Sequence, residues 1–304
     1  MDRWFEDKLD KSNLRKHTMR RINENSALNY VNNIFRRLSI TNWLIIVNIL
    51  VYIAIIILIT SNFGETKVLS IFALKANSLF SGSYWTLLTS MFSHIHPGHI
   101  LVNMISLFFI GNLLEKIIGR KKFLWFYLLS GLFAGVFASI LSFYLGNTEL
   151  GARIFISPNV YSLGASGAIF GVAGLLTILT PYMRVYLIAG PILAFIIPSI
   201  ISSIYPNFPG LALLNIIITF YFFFAVFSMF SMNPSMRKLA IPVGMPFWLL
   251  PIVAILPLVV IGLFTPLPIG NTAHLGGLIA GIFYGSYLKR KYKRKTQMIS
   301  KYFR

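Results

Sequence analysis

Four of the five histidines, His94, His96, His99 and His274, lie in or beside apolar stretches, where an ionisable side chain is costly and usually functional. His17 sits in the charged N-terminal segment. In HIHPGHILVN, His99 and Asn103 stand four residues apart, on one face of a helix, and can present side-chain donors to one point. Alone, such a pair joins neighbouring membrane helices as readily as it serves chemistry. His94 and His96, nearer the outer edge, read as structural. In GASGAIFGVAG, Gly164, Gly167, Gly171 and Gly174 recur every three or four residues, with Ser166 beside that smooth face. A stripe of small residues more often marks close helix packing, so Ser166 acquires chemical meaning only if a base is near. AHLGGLIAG offers one: Ala273, Gly277 and Gly281 form a second small-residue stripe, and His274 stands next to it. A neutral, buried imidazole can take the proton of a serine hydroxyl without an aspartate, although an orienting group normally helps.

The rest of the composition excludes the competing chemistries. Only eight acidic residues are present, and all but Glu65, Glu115 and Glu149 lie in the first 24 positions. A pair of intramembrane aspartates is therefore ruled out, and no HExxH pattern occurs. Cysteine is absent, which removes thiolate nucleophiles, disulfides and Cys-ligated metals. No metal or organic cofactor is implied.

These residues must be positioned by membrane helices. The chain is 56% hydrophobic and 12% charged, with a mean hydropathy of +0.73, beyond the range of a soluble domain. Stretches long enough to span a bilayer occur at about 41 to 61, 98 to 115, 123 to 145, 164 to 181, 185 to 204, 211 to 232, 244 to 264 and 271 to 288. If the N-terminus is cytoplasmic, every one of the 27 Lys and Arg except Lys67, Lys75 and Arg153 falls on the inner side, as the positive-inside rule requires. The expectation is an all-α polytopic bundle of about eight spans with both ends cytoplasmic, in the cell membrane of a prokaryote. With this parity, the spans starting at 164 and 271 both descend from the outside, so Ser166 and His274 lie at similar depth on parallel helices.

Residues 1 to 40 form a basic cytoplasmic segment, in which Leu28, Val31, Phe35 and Leu38 have the spacing of an interfacial helix; a disordered basic tail is the alternative. Residues 41 to 288 form the membrane domain, with an extra hairpin within about 182 to 243. There, Pro191, Pro198, Pro206 and Pro209 leave kinked helices and a re-entrant excursion both open. Residues 62 to 97 read as a structured outer loop with Tyr84 and Trp85 at headgroup level. Residues 289 to 304 are a basic tail whose KRKYKRK anchors to anionic headgroups rather than to nucleic acid.

HxxxxHxxxN at His94, His99 and Asn103, GASG at 164 to 167 and AHLGGLIAG after it together resemble, in order and topology, the rhomboid intramembrane proteases. The resemblance implies Ser166 as nucleophile, His274 as base, and an oxyanion site made by His99, Asn103 and the Ser166 backbone N–H. It implies a structural role for His94, and an aromatic ring, Phe170, packed under the catalytic histidine. NLLEKIIGRKKF, with Glu115 and Gly119, looks like the family's turn after the second span. The chain departs from the pattern in having Thr86 after Trp85, where many members have arginine, and in having three spans rather than one between the serine and histidine helices. The expected function is hydrolysis of peptide bonds in or near transmembrane helices of protein substrates. The alternatives are a catalytically silent rhomboid-like protein that binds membrane helices, and a small-solute transporter.

Overall fold

A computed structural model describes residues 38–205, 207–264 and 270–303. The helix expected over Leu28, Val31 and Phe35 lies outside the described residues. Eight apolar helices organise the rest: α1 (Ile40–Leu58), α2 (Pro97–Ser106), α3 (Arg120–Leu145), α4 (Ser166–Leu179), α5 (Ala189–Ile204), α6 (Leu211–Ser228), α7 (Leu250–Phe264) and α8 (Asn271–Lys291). A π-helical turn, Leu107–Gly111, carries α2 on into the helix Asn112–Ile118. By length and composition, Ile40–Ser61, Pro97–Ile118, Arg120–Leu145 and Leu211–Ser228 can each cross a membrane. The helix α4, with 14 residues, is about 21 Å long. It tolerates that shortness because nearly its whole surface, from Gly167 to Leu179, is covered by other helices rather than by lipid.

The centre of the bundle is the unit α3, α4 and α8, whose mutual approach depends on missing side chains. A methyl group on Gly277 would collide with the Gly167 carbonyl, one on Gly281 with the Gly171 carbonyl, and one on Gly171 with Ser130 of α3. Contacts between α4 and α8 advance in step, from Gly167 beside Ala273 to Ile178 beside Gly285, so the two helices run parallel. A third glycine, Gly276, faces Ala134 and Phe137 of α3. Phe123 and Tyr127 of α3, Val172, Leu175 and Leu176 of α4, and Leu107 and Leu114 after α2 belong to the buried apolar core.

Two of the expected spans begin differently from the reading by hydropathy. Residues 184–188 and 242–246 are not the first turns of helices. They form a two-stranded antiparallel ladder, β1 (Arg184–Ile188) with β2 (Pro242–Pro246), in which Ile188 pairs with Pro242 and Arg184 with Pro246. The alternation of RVYLI and the two prolines of PVGMP favour extended backbone over helix. The ladder brackets α5 and α6, which pack chiefly against each other, whereas α7 packs on α4, on α8 and on the short helix Glu149–Phe155. Of the three spans between α4 and α8, it is therefore α7 that stands beside the histidine helix.

At the opposite end of the chain, the buried Glu115 carboxylate accepts hydrogen bonds from the backbone N–H groups of Ile40 and Thr41 and from the Thr41 hydroxyl, each at 2.8 Å. An anion thus occupies the N-terminus of α1, where the helix dipole favours it. Gly119, at φ +86°, turns the chain immediately afterwards into α3.

Candidate active site

Ser166 is the first residue of α4 and His274 lies in the first turn of α8. With the helices parallel and in glycine-mediated contact, the Ser166 hydroxyl oxygen lies 2.8 Å from Nε2 of His274. The imidazole is buried, and the Phe170 ring, one turn below Ser166, stacks against it with centroids 4.4 Å apart and planes inclined by 19°. Among the described residues, nothing hydrogen-bonds to His274 Nδ1, so the ring is oriented by stacking and by its bond to Ser166 rather than by a carboxylate.

The second group of polar residues comes from the start of α2. The glycine at 164 has φ +128°, a region that side chains rarely allow. A methyl placed on it would lie 2.7 Å from Cε1 of His99, 2.9 Å from His99 Nε2 and 3.6 Å from Asn103 Nδ2. The imidazole edge of His99 and the amide nitrogen of Asn103 therefore converge on one spot, two residues before Ser166. The one-turn spacing on α2 makes this convergence possible.

His94 supports both. Its ring packs edge-on against His99 at 5.0 Å, and its Nε2 accepts from the Asn103 amide at 2.9 Å and from the Ala165 backbone N–H at 3.5 Å. Nε2 is the acceptor, so the proton belongs on Nδ1. Full burial in the loop before α2, reinforced by the neighbouring His99, pushes His94 down to about 3. His96, by contrast, is exposed at the N-terminus of α2 and joins none of these contacts.

The loop ahead of α4 is held by the segment 62–97, which is structured into the short helices Glu65–Phe72, Ala76–Phe80 and Thr86–Thr89. Leu74 and Ser162 exchange backbone hydrogen bonds, and the Gly164 N–H donates to the Ser90 carbonyl at 2.8 Å. Trp85 is exposed and donates its indole N–H to the Ile71 carbonyl, and Thr86 is buried and bonds to the Ser83 carbonyl. Sequence reasoning missed two contributors: Gly276, which lets α8 seat on α3, and Ser90, whose carbonyl fixes Gly164. A second small residue directly beside Gly277 was the available signal for the first; nothing in the sequence marks the second.

Comparisons with known proteins agree with this architecture. The sequence profile of the rhomboid domain matches residues 81–221 and 218–291. The chain is 34% identical over 128 residues to the RHOMBOID-like protein 12, mitochondrial, of Arabidopsis thaliana, covering 41% of this chain and 38% of that protein. It is 38% identical over 113 residues to the rhomboid protease GluP of Bacillus subtilis, covering 37% and 19%. Against the rhomboid protease AarA of Providencia stuartii it is 31% identical over 140 residues, covering 45% and 49%. The chain thus spans half or less of each of these relatives. The profile takes in the loop that carries His94, the helices α2, α4 and α8, and the polar residues they bring together, and on that extent the chain belongs to the rhomboid family of membrane proteins.

Proposed function

We propose that this chain is a serine endopeptidase that cleaves transmembrane protein substrates in or near their membrane-spanning helices. The observation that carries this reading is the 2.8 Å contact between the Ser166 hydroxyl and His274 Nε2 at the head of two parallel helices, the relation nucleophilic catalysis needs. It favours the protease over the silent helix-binding alternative, which has no use for such a pair.

In the proposed reaction, His274 Nε2 takes the hydroxyl proton as Ser166 Oγ attacks the scissile carbonyl carbon. The oxyanion that forms faces the spot on which His99 and Asn103 converge, with the Ser166 backbone N–H as a third donor. As the first residue of α4, Ser166 has a backbone N–H that its own helix does not use. His274 then returns the proton to the departing amine, which leaves an ester on Ser166. A water molecule, deprotonated by the same imidazole, hydrolyses that ester and restores the hydroxyl. His94, which accepts from one N–H of Asn103, leaves the other N–H free to be aimed at the oxyanion. Substrate helices should break most readily where they are weakly helical, because intact helical carbonyls are already hydrogen-bonded.

The accompanying topology is both termini cytoplasmic and the site open to the outer face, in the cell membrane of a prokaryote. The test is cleavage of a single-span substrate in reconstituted vesicles, together with labelling by a fluorophosphonate. Wild type should cleave and be labelled at Ser166, and Ser166→Ala should do neither. Cleavage that survives the loss of the Ser166 hydroxyl would overturn the reading.

A further inference from the structure

The basic end of the bundle carries a feature independent of the candidate active site. At the start of α3, Lys122 Nζ lies 5.8 Å from the ring centre of Tyr292, and at the end of α8, Lys291 Nζ lies 5.7 Å from the same ring. Lys291 also donates to the Tyr287 hydroxyl at 2.8 Å and sits 5.3 Å from that ring. The ladder of rings continues inward, with Tyr287 stacked on Tyr284 and Tyr284 on Phe126 of α3. Two ammonium groups from two helices are thus gathered around one tyrosine.

Among the described residues, no carboxylate offers them a counter-charge. The described carboxylates are Glu65, Glu115 and Glu149. Glu115 is buried against the start of α1 with Arg120 beside it, and Glu149 pairs with Arg153. Among the described residues, no ion pair joins Lys122 or Lys291 to a carboxylate. Exposed Lys121 and Lys293 add to the positive field. Cation–π contact stabilises an ammonium but leaves N–H groups free to donate.

What lies beyond each lysine points to the kind of anion. On α3, Lys122, Trp125 and Leu129 follow one another at i, i+3 and i+7; on α8, Lys291, Tyr287 and Phe283 recede at steps of four. Each is a single helix face. Trp125 is 58% exposed, Leu129 60% and Phe283 72%. Each face therefore runs from a cation, past an interfacial aromatic, to bare apolar surface, which is the profile of a headgroup followed by an acyl chain.

We propose that Lys122 and Lys291, seated around Tyr292, form a binding site for the phosphodiester of one anionic phospholipid, whose acyl chains lie along Trp125, Leu129 and Phe283. A phosphodiester carries two non-bridging oxygens, an acceptor for each ammonium group. The site would couple the lipid of that leaflet to α8, the helix that carries His274.

The test is native mass spectrometry of the full chain released from nanodiscs, titrated with phosphatidylglycerol or with phosphatidylcholine of the same acyl chains. The variants are the double substitution Lys122→Gln/Lys291→Gln and, as a charge-matched control, Lys289→Gln/Lys295→Gln. Wild type should retain one phosphatidylglycerol in preference to phosphatidylcholine. The site variant should bind it roughly 30-fold more weakly, the effect of two lysines at an anionic membrane surface, and the control should bind as wild type does. Millimolar inorganic phosphate should not displace the lipid, since it lacks the apolar part. Equal weakening in the control would overturn the proposal in favour of diffuse surface charge, equal retention of phosphatidylcholine would deny the anionic preference, and full displacement by phosphate would deny a lipid site.

Discussion

Gly164 is the residue at which backbone and chemistry constrain each other most tightly. Its φ of +128° and the His99 edge against its absent side chain both forbid a methyl group. Gly164→Ala should therefore abolish cleavage and lower the melting temperature, whereas Asn103→Ala and His99→Ala should insert normally and lose about 10²- to 10³-fold in turnover, as is typical of oxyanion donors. Ser166→Ala and His274→Ala should fall to background, with the double variant no worse, because the two act as a unit. His96→Ala, at an exposed position outside these contacts, should be near neutral; a variant as inactive as Ser166→Ala would assign His96 to the site instead. His94 gives a pH prediction. Burial holds it at about 3 against 6.5 for a free imidazole, so an unfolded chain takes up a proton between those values that the folded chain refuses. Falling pH through that window favours unfolding. The melting temperature in detergent should decline from pH 7 to 4.5, with a shallower slope in His94→Gln.

At the scale of elements, the contact between α4 and α8 is set by glycines whose replacement has no slack to absorb it. Gly277→Ala would press a methyl on the Gly167 carbonyl, and overpacking of this kind costs about 1–3 kcal/mol. The expected result is a lowered unfolding midpoint together with weakened fluorophosphonate labelling, since the serine and the histidine ride on these two helices. The spacing of small residues made this contact legible in the sequence, as did the order of the polar motifs. The β1–β2 ladder was not legible. Its residues are apolar, and a hydropathy window reads Val185, Leu187 and Val243 alike whether the backbone is helical or extended. Only the pairing of segments more than fifty positions apart distinguishes the two, and a single sequence does not display pairing. The ladder yields its own test: replacing residues 189–241 with Asn-Gly joins Ile188 to Pro242 through a two-residue turn, and the shortened chain should still insert and be labelled at Ser166. Failure to fold would mean that α5 and α6 support the core rather than merely adjoin it.

Over the whole molecule, charge and hydropathy together predict which side each end occupies. A reporter fused after residue 304 should be cytoplasmic and one placed at Asn207, between α5 and α6, external. A cytoplasmic Asn207 would mean that the Pro-rich region re-enters rather than spans. The number of apolar stretches could be read along the chain because lipid selects for them continuously. The way they are joined at their ends could not, since it depends on single polar contacts between distant residues. Glu115 is such a contact. The amides of Ile40 and Thr41 that it satisfies belong to α1, and the carboxylate lies 75 positions after Ile40, beyond α2. Until Glu115 has been synthesised, these amides at the head of α1 lack the carboxylate that caps them. Assembly at this joint therefore has a built-in order, because the cap on α1 can form only after α2 has been translated.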